Sequence, residues 1–123
     1  MTDRELVEAA EAAAANAYAP YSEYLVGAVV QARDGRTFAG VNVENAAYPL
    51  GVCAEKAAIA SAVAAGLRPG DLEAIGITAS PCGGCRQWLH EFRFDRVAYR
   101  NADGGIASTT PAALLPDTWD LPA

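Results

Sequence analysis

The first residues of the chain place apolar and polar positions with the period of an α-helix. Thr2-Asp3-Arg4-Glu5 matches a capping box, in which the Thr and Glu side chains bind free backbone N–H groups where a helix begins. The Ala-rich stretch that follows puts apolar residues on one helical face: Leu6, Ala10, Ala13 and Ala14. We expect this helix to end near Ala19-Pro20, because proline cannot continue a helix.

The later apolar runs are shorter and are bounded by turn residues. Asp34-Gly35 separates two runs, from Tyr24 to Ala32 and from Arg36 to Val43, which predicts a β-hairpin. An Ala-rich run without Gly or Pro predicts a helix from Cys53 to Ala65, before Gly66. The other expected elements are a buried strand from Leu72 to Ala79, a helix from about Gly83 to Phe92, strands at Arg96 to Arg100 and Ile106 to Thr109, and a short helix that begins at Thr110-Pro111 and ends before Pro116.

This order of elements, α-β-β-α-β-α-β-β-α, predicts an α/β fold with one sheet of about five strands covered by helices. The sheet should be part hairpin and part crossover. The chain has 123 residues, of which 52% are hydrophobic, enough for one core and too few for two. We therefore expect a single domain over residues 1–123.

The net charge and the composition of the first residues indicate which partners and which cellular compartment to expect. The net charge is −6, and no stretch concentrates Lys and Arg, so a nucleic acid is not an expected partner. The first residues are acidic rather than basic, and no apolar run is long enough to span a membrane. These features predict a soluble cytoplasmic protein with no membrane partner.

The three cysteines, Cys53, Cys82 and Cys85, indicate a metal site. An odd number cannot pair completely within one chain, so metal-binding thiols in a reducing compartment are the better interpretation. Cys82 and Cys85 can reach one ion from a single turn, and Cys53 begins another predicted helix. A helix N-terminus lowers thiol pKa values and stabilises the thiolates that Zn²⁺ prefers.

The number of ligands separates two kinds of zinc site. A structural zinc has four protein ligands, whereas a catalytic zinc has three and leaves the fourth position to water. His90, the one histidine, could close a Cys3His structural site in a noncatalytic domain. It follows Cys85 by five residues in a predicted helix, however, and those two positions face different directions. We therefore favour the open, catalytic site.

Glu55 lies two residues after Cys53, in the first turn of a predicted helix. An acid there ordinarily complements the helix dipole at the surface. Beside a zinc-bound water it becomes a candidate proton shuttle. Cys-x-Glu followed by Pro-Cys-x-x-Cys matches the zinc deaminase signature, with Cys53 in the place of the histidine.

With these motifs the chain resembles the small homotetrameric cytidine deaminases of nucleoside salvage. The matching stretches are YSEYLVGA at 21–28, NVENAAYPLG at 42–51, CAEKAA at 53–58, SPCGGCRQ at 80–87 and LLPDTW at 114–119. The resemblance implies a three-layer α-β-α sandwich around a mixed sheet of about five strands. It also implies a homotetramer with shared active sites and hydrolytic deamination of cytidine and 2′-deoxycytidine.

The resemblance carries specific roles to this chain. One Zn²⁺ per chain would be bound by the three cysteines, and Glu55 would move the proton. The nucleoside would be bound by Asn42 and Glu44 at the ribose and by Tyr24 at the base, with the backbone at Ala54 and Ser80 near the amino group and the reacting carbon. Residues expected in a neighbouring subunit's site are Ala46, Tyr48 and Trp119. Residues expected to support the sulfurs are Lys56, Arg86 and Gln87.

The chain departs from the family pattern at several positions. Tyr24 and Trp119 stand where phenylalanine is usual, Lys56 stands where arginine is common, and the connection into Pro81-Cys82 is short. These differences leave open a modified cytosine nucleoside, such as blasticidin S, as the substrate. A nucleic-acid-editing deaminase would need a basic groove, which this acidic chain does not show.

Overall fold

A computed structural model of the chain describes residues 1–122. The elements are α1 (Asp3–Ala14), β1 (Gly27–Ala32), β2 (Thr37–Val41), a 3₁₀ turn (Tyr48–Leu50), α2 (Ala54–Ala64), β3 (Leu72–Ile77), α3 (Gly83–Glu91), β4 (Arg96–Arg100), β5 (Ile106–Thr109) and α4 (Pro111–Leu114). The predicted order of helices and strands is confirmed. Within residues 1–122, every helix is too short or too polar to cross a membrane.

The five strands form one mixed sheet in the order β2-β1-β3-β4-β5. β1 pairs antiparallel with both β2 and β3, and β4 pairs antiparallel with β5. β3 and β4 are parallel, and α3 is the crossover that connects them. The carboxyl end of β3 therefore leads into the loop that carries Cys82.

Helices cover both faces of the sheet, which confirms the α-β-α layers. On one face, Leu6 and Ala10 of α1 pack against Val29 and Ala74. On the other face lies the larger core, which includes Val30, Ile59, Ile75, Leu89 and Val97. Side chains alternate along a strand, so Val29 and Val30 serve opposite layers. Each fully buried Leu or Ile contributes about 2 kcal/mol to stability.

Helix α2 lies directly on β2 because Gly40 has no side chain. A Cβ atom at Gly40 would lie 2.2 Å from the backbone N of Ala58 and 2.5 Å from the carbonyl O of Ala54. Small residues on α2 allow this approach of the two backbones. The close contact fixes the start of α2, where Cys53 and Glu55 lie, against the end of β2.

Two predicted boundaries were wrong. α1 ends at Ala14 rather than near Ala19-Pro20, and β1 begins at Gly27 rather than at Tyr24. The chain leaves the helix early because Tyr18 pairs with Val43, with Tyr18 N donating to Asn42 O and Glu44 N donating to Tyr18 O. These long-range contacts of residues 18–26 with residues 42–44 override the local sequence preference.

Candidate active site

The three cysteines meet where two helices begin. Cys53 is the N-cap residue of α2 and Cys82 is the N-cap residue of α3, with Cys85 in the first turn of α3. The Sγ atoms of Cys53 and Cys82 are 3.9 Å apart, and all three Sγ atoms lie within 4.8 Å of one another. The backbone N–H of Cys85 donates to Cys82 Sγ at 3.4 Å. The starts of two helices thus converge on one cluster of sulfurs.

The cluster fits a zinc ion. Tetrahedral coordination with Zn–S distances of about 2.3 Å puts the sulfurs about 3.8 Å apart, close to the observed separation. Within residues 1–122, the three thiols form this group by themselves. His90 lies elsewhere, with Nε2 2.7 Å from Oδ1 of Asp120. The cluster therefore fits an open site with three protein ligands.

The thiols titrate differently because of their surroundings. Burial raises the pKa values of the Cys53 and Cys85 thiols above the ordinary value. Burial also raises the pKa of Cys82, but hydrogen bonds from the Cys85 N–H and from the neighbouring thiols outweigh it, and the net shift is downward. Three negative sulfurs at this distance repel one another, so a bound cation is needed to hold them deprotonated together.

Glu55 lies buried in the first turn of α2, next to this cluster. Only 4% of its surface is exposed, a rare degree of burial for a carboxyl group. Burial raises the pKa of Glu55, while its own backbone N–H, the Cys85 thiol and the Lys56 charge offset part of that rise. The carboxyl group is thus easier to protonate than an exposed one, which suits a residue that accepts and returns a proton.

A cavity of about 380 Å³ opens beside the cysteines. The predicted site residues that line it are Tyr24, Asn42, Glu44, Tyr48, Cys53, Ala54, Glu55, Ser80 and Cys82. Further lining residues, which the sequence analysis missed, are Val26, Val43, Gly51, Val52, Ile77 and Ala79. All but Ile77 adjoin a predicted site residue or lie two residues from one, and this closeness in sequence is the signal that could have found them.

Asn42 and Glu44 hold the segment that carries Tyr24. Asn42 Oδ1 accepts from the Val26 N–H at 2.8 Å, and Asn42 Nδ2 donates to the Tyr24 carbonyl at 2.9 Å. Glu44 accepts hydrogen bonds from residues 21 and 22. These bonds lower the pKa of Glu44, with the Ser22 hydroxyl as the largest cause. The cavity wall thus presents an amide and an ionised carboxylate that are already oriented.

Comparison with known proteins agrees with this geometry. A family model described as the cytidine and deoxycytidylate deaminase zinc-binding region matches residues 1–101, which include all three cysteines and Glu55. The chain belongs to this deaminase family. Its zinc-binding region and the cysteine cluster together correspond to one zinc per chain.

Relatives in the deaminase family match most of the chain. The cytidine deaminase of Sporosarcina psychrophila is 40% identical, with 97% of this chain and 92% of the relative covered. That of Halalkalibacterium halodurans is 39% identical, with 95% and 94% covered. The crystal structure of cytidine deaminase from Burkholderia pseudomallei superposes with a TM-score of 0.90 at 44% identity, covering 97% of this chain and 100% of that one.

Some predicted residues of the deaminase site lie outside the cavity of their own chain. Ala46 is exposed and does not line the cavity, and Trp119 is 70% exposed in the C-terminal segment. That segment crosses α3, where Gln87 Nε2 donates to the Trp119 carbonyl at 3.4 Å. Tyr48 is 78% exposed at the cavity edge. Ala46 and Trp119 therefore lie on the surface of the chain, and Tyr48 lies at the edge of the cavity.

Arg86 and Lys56 contact the elements around the cysteines. The Arg86 guanidinium donates to the carbonyls of Pro81 and Leu114 and to the Ser80 hydroxyl. It therefore fixes the loop between β3 and α3. Lys56 Nζ lies 6.0 Å from the centroid of the Trp88 ring. A Cβ atom at Gly84 would lie 3.5 Å from the same Nζ atom. A positive charge thus lies over the start of α3.

Proposed function

We propose that the protein deaminates cytidine and 2′-deoxycytidine by hydrolysis, giving uridine or 2′-deoxyuridine and ammonia. The observation that carries this proposal is a buried carboxyl group, Glu55, which lies in the wall of a cavity and beside three clustered thiols. Cytidine deaminases that cover almost the whole chain support the choice of substrate. The cavity volume of 380 Å³ is within the range of small-molecule sites.

In this proposal Cys53, Cys82 and Cys85 hold the zinc, and Glu55 moves the proton. The bound metal supplies Lewis acidity that makes water a nucleophile near neutral pH. Glu55 accepts one proton from the attacking water and delivers it to N3 of the cytosine ring, then takes the second proton from the new C4 hydroxyl and delivers it to the departing amino group. The water oxygen replaces the amino group at C4, so that ammonia and uridine leave. Burial of Glu55 supports this role because it favours the protonated carboxyl.

The cavity wall would bind the nucleoside. Asn42 and Glu44 would hydrogen-bond the ribose, and Tyr24 would pack against the base. The backbone at Ala54 and Ser80 would contact the amino group and the reacting carbon. All five of these residues line the cavity, which supports their assignment as nucleoside contacts. A site with polar groups that lose their partners when the sugar is absent discriminates strongly against the free base.

We also propose a homotetramer in which Ala46, Tyr48 and Trp119 serve the site of a neighbouring subunit. The exposure of Tyr48 and Trp119 supports this, because large exposed aromatic groups often mark an interface. Lys56, Arg86 and Gln87 would help to position the cysteine loops. The reaction would serve pyrimidine salvage in the cytoplasm, where zinc-binding thiols remain reduced. Residues 1–123 would form one deaminase domain.

The substitution Glu55→Gln tests the assigned chemistry. The amide keeps the shape of the side chain but cannot take a proton, so cytidine turnover should fall by at least about 100-fold while zinc remains bound. The matched control is Glu91→Gln, an exposed glutamate at the end of α3. Ultraviolet absorbance follows turnover, and metal analysis gives zinc per chain. Substantial residual turnover in zinc-loaded Glu55→Gln would remove Glu55 from this role.

A further inference from the structure

Ser22 connects two residues of the cavity wall through one hydroxyl group. Its Oγ donates to Oε2 of Glu44 and accepts from the backbone N–H of Tyr24 at 3.0 Å. Ser22 itself lines a neighbouring cavity of about 320 Å³, which shares Glu44, Tyr48 and Gly51 with the larger one. The hydroxyl therefore acts on the larger cavity through Glu44 and Tyr24.

The Glu44 carboxylate is almost saturated by the segment that contains Ser22. Oε1 accepts from the N–H groups of Tyr21 and Ser22, both at 3.1 Å, and Oε2 accepts from the Ser22 hydroxyl. A carboxylate offers about four acceptor positions, so one position on Oε2 remains. Glu44 can therefore accept one further donor, such as a sugar hydroxyl, without giving up its present partners.

The backbone between Ser22 and Tyr24 adopts a conformation that its sequence does not favour. Glu23 has φ = 59°, in the left-handed region, which is uncommon for glutamate. The bond from the Tyr24 N–H to Ser22 Oγ closes the turn around Glu23. Asn42 then holds the Tyr24 carbonyl from the other side. Tyr24 is thus fixed at its N–H through Ser22 and at its carbonyl through Asn42.

We propose that Ser22 is a positioning residue for the nucleoside. Its hydroxyl orients the free acceptor of Glu44 and fixes the backbone of Tyr24, so that sugar and base meet groups already in place. The inference rests on the proposed deamination of cytidine. Without the hydroxyl, Oε2 of Glu44 loses its fixed donor and the turn at Glu23 loosens. Nucleoside binding then weakens, while Glu55 and the cysteines keep their geometry.

The test compares Ser22→Ala with Ser22→Thr, which retains the hydroxyl. Ser22→Ala should raise KM for cytidine about 10-fold, the value of one hydrogen bond to a charged group, with kcat within about 3-fold of the parent. Ser22→Thr should restore KM to within about 3-fold. The matched control is Ser108→Ala, an exposed serine on β5. In a Glu44→Gln background, Ser22→Ala should raise KM by less than it does in the parent, because the part of its effect that acts through the Glu44 carboxylate is already lost and only the part through Tyr24 remains.

Each outcome below overturns the positioning role of Ser22, and the parent's activity shows whether the proposed function stands. A parent that deaminates cytidine and a Ser22→Ala variant with unchanged KM would overturn the inference and leave the proposed function standing. A lower kcat and a lower melting temperature with unchanged KM would show a merely structural role and would also overturn it. If Ser22→Ala fails to fold, a Ser22→Thr variant that melts like the parent but has a 10-fold higher KM overturns it, since the hydroxyl is then not what matters. A parent that does not deaminate cytidine overturns both claims.

Discussion

At the scale of single residues, Cys82 serves the fold as well as the cluster. It occupies the N-cap position of α3, where serine or aspartate is usual, and its sulfur accepts the N–H of Cys85. Cys53 occupies the same position in α2. The Cys82 sulfur accepts a capping hydrogen bond whereas the Cys53 side chain makes none, so a change at Cys82 should disturb the start of its helix as well as metal binding.

The histidine decides between a closed and an open metal site. Because His90 contacts Asp120 rather than the cysteines, His90→Ala should keep about one zinc per chain, as expected for three protein ligands. Metal analysis of purified variants checks this, with Cys85→Ala as the control that should lose zinc. Loss of zinc from His90→Ala would instead support a structural Cys3His site and a noncatalytic domain.

The residues of the site differ in how far the sequence could reveal them. The clustering of Cys53, Glu55, Cys82 and Cys85 could be predicted, because thiols and a carboxyl at this spacing are unusual outside metal chemistry. Apolar lining residues such as Ile77 were not, because the same side chain fills a core and a cavity wall equally well. The role of Ser22 also required the structure, since its partner Glu44 is 22 residues away.

At the scale of the elements, local pattern predicted the regular parts and failed where distant residues compete. The alanine content of α2 and the capping box of α1 act within a few residues, and both elements form as expected. The segment from residue 15 to residue 26 was assigned partly to a helix and partly to a strand. It is instead held by Asn42 and Glu44, and no local rule contains that information.

The contact between α2 and β2 predicts the effect of a single methyl group. Gly40→Ala places a Cβ atom against the backbone of Ala58, so the two elements must move apart at a cost of about 1–3 kcal/mol. Gly83→Ala is the matched control, because its Cβ atom has no described atom within 4 Å. Chemical denaturation gives the free energy of unfolding for each variant. Equal stability of the two variants would contradict the close packing of α2 on β2.

At the scale of the whole molecule, the sheet brings distant motifs to one place. Residues 42–44 follow β2, Cys53 begins α2, and Cys82 follows β3, so three separate stretches of sequence meet around the cavity. The order of helices and strands along the chain allowed the α/β class to be predicted, and the resemblance to the deaminases implied the three layers. The shape and volume of the cavity required the structure, because they depend on how closely α2 approaches the sheet.

The most direct measurement of the central claim is an ultraviolet assay of the purified protein beside a zinc determination. The substrates are cytidine, 2′-deoxycytidine, cytosine and blasticidin S. We predict about one zinc per chain, turnover of both simple nucleosides and strong discrimination against the free base, since only a nucleoside would engage the proposed ribose partners Asn42 and Glu44. Full zinc content without turnover of either simple nucleoside would contradict the account.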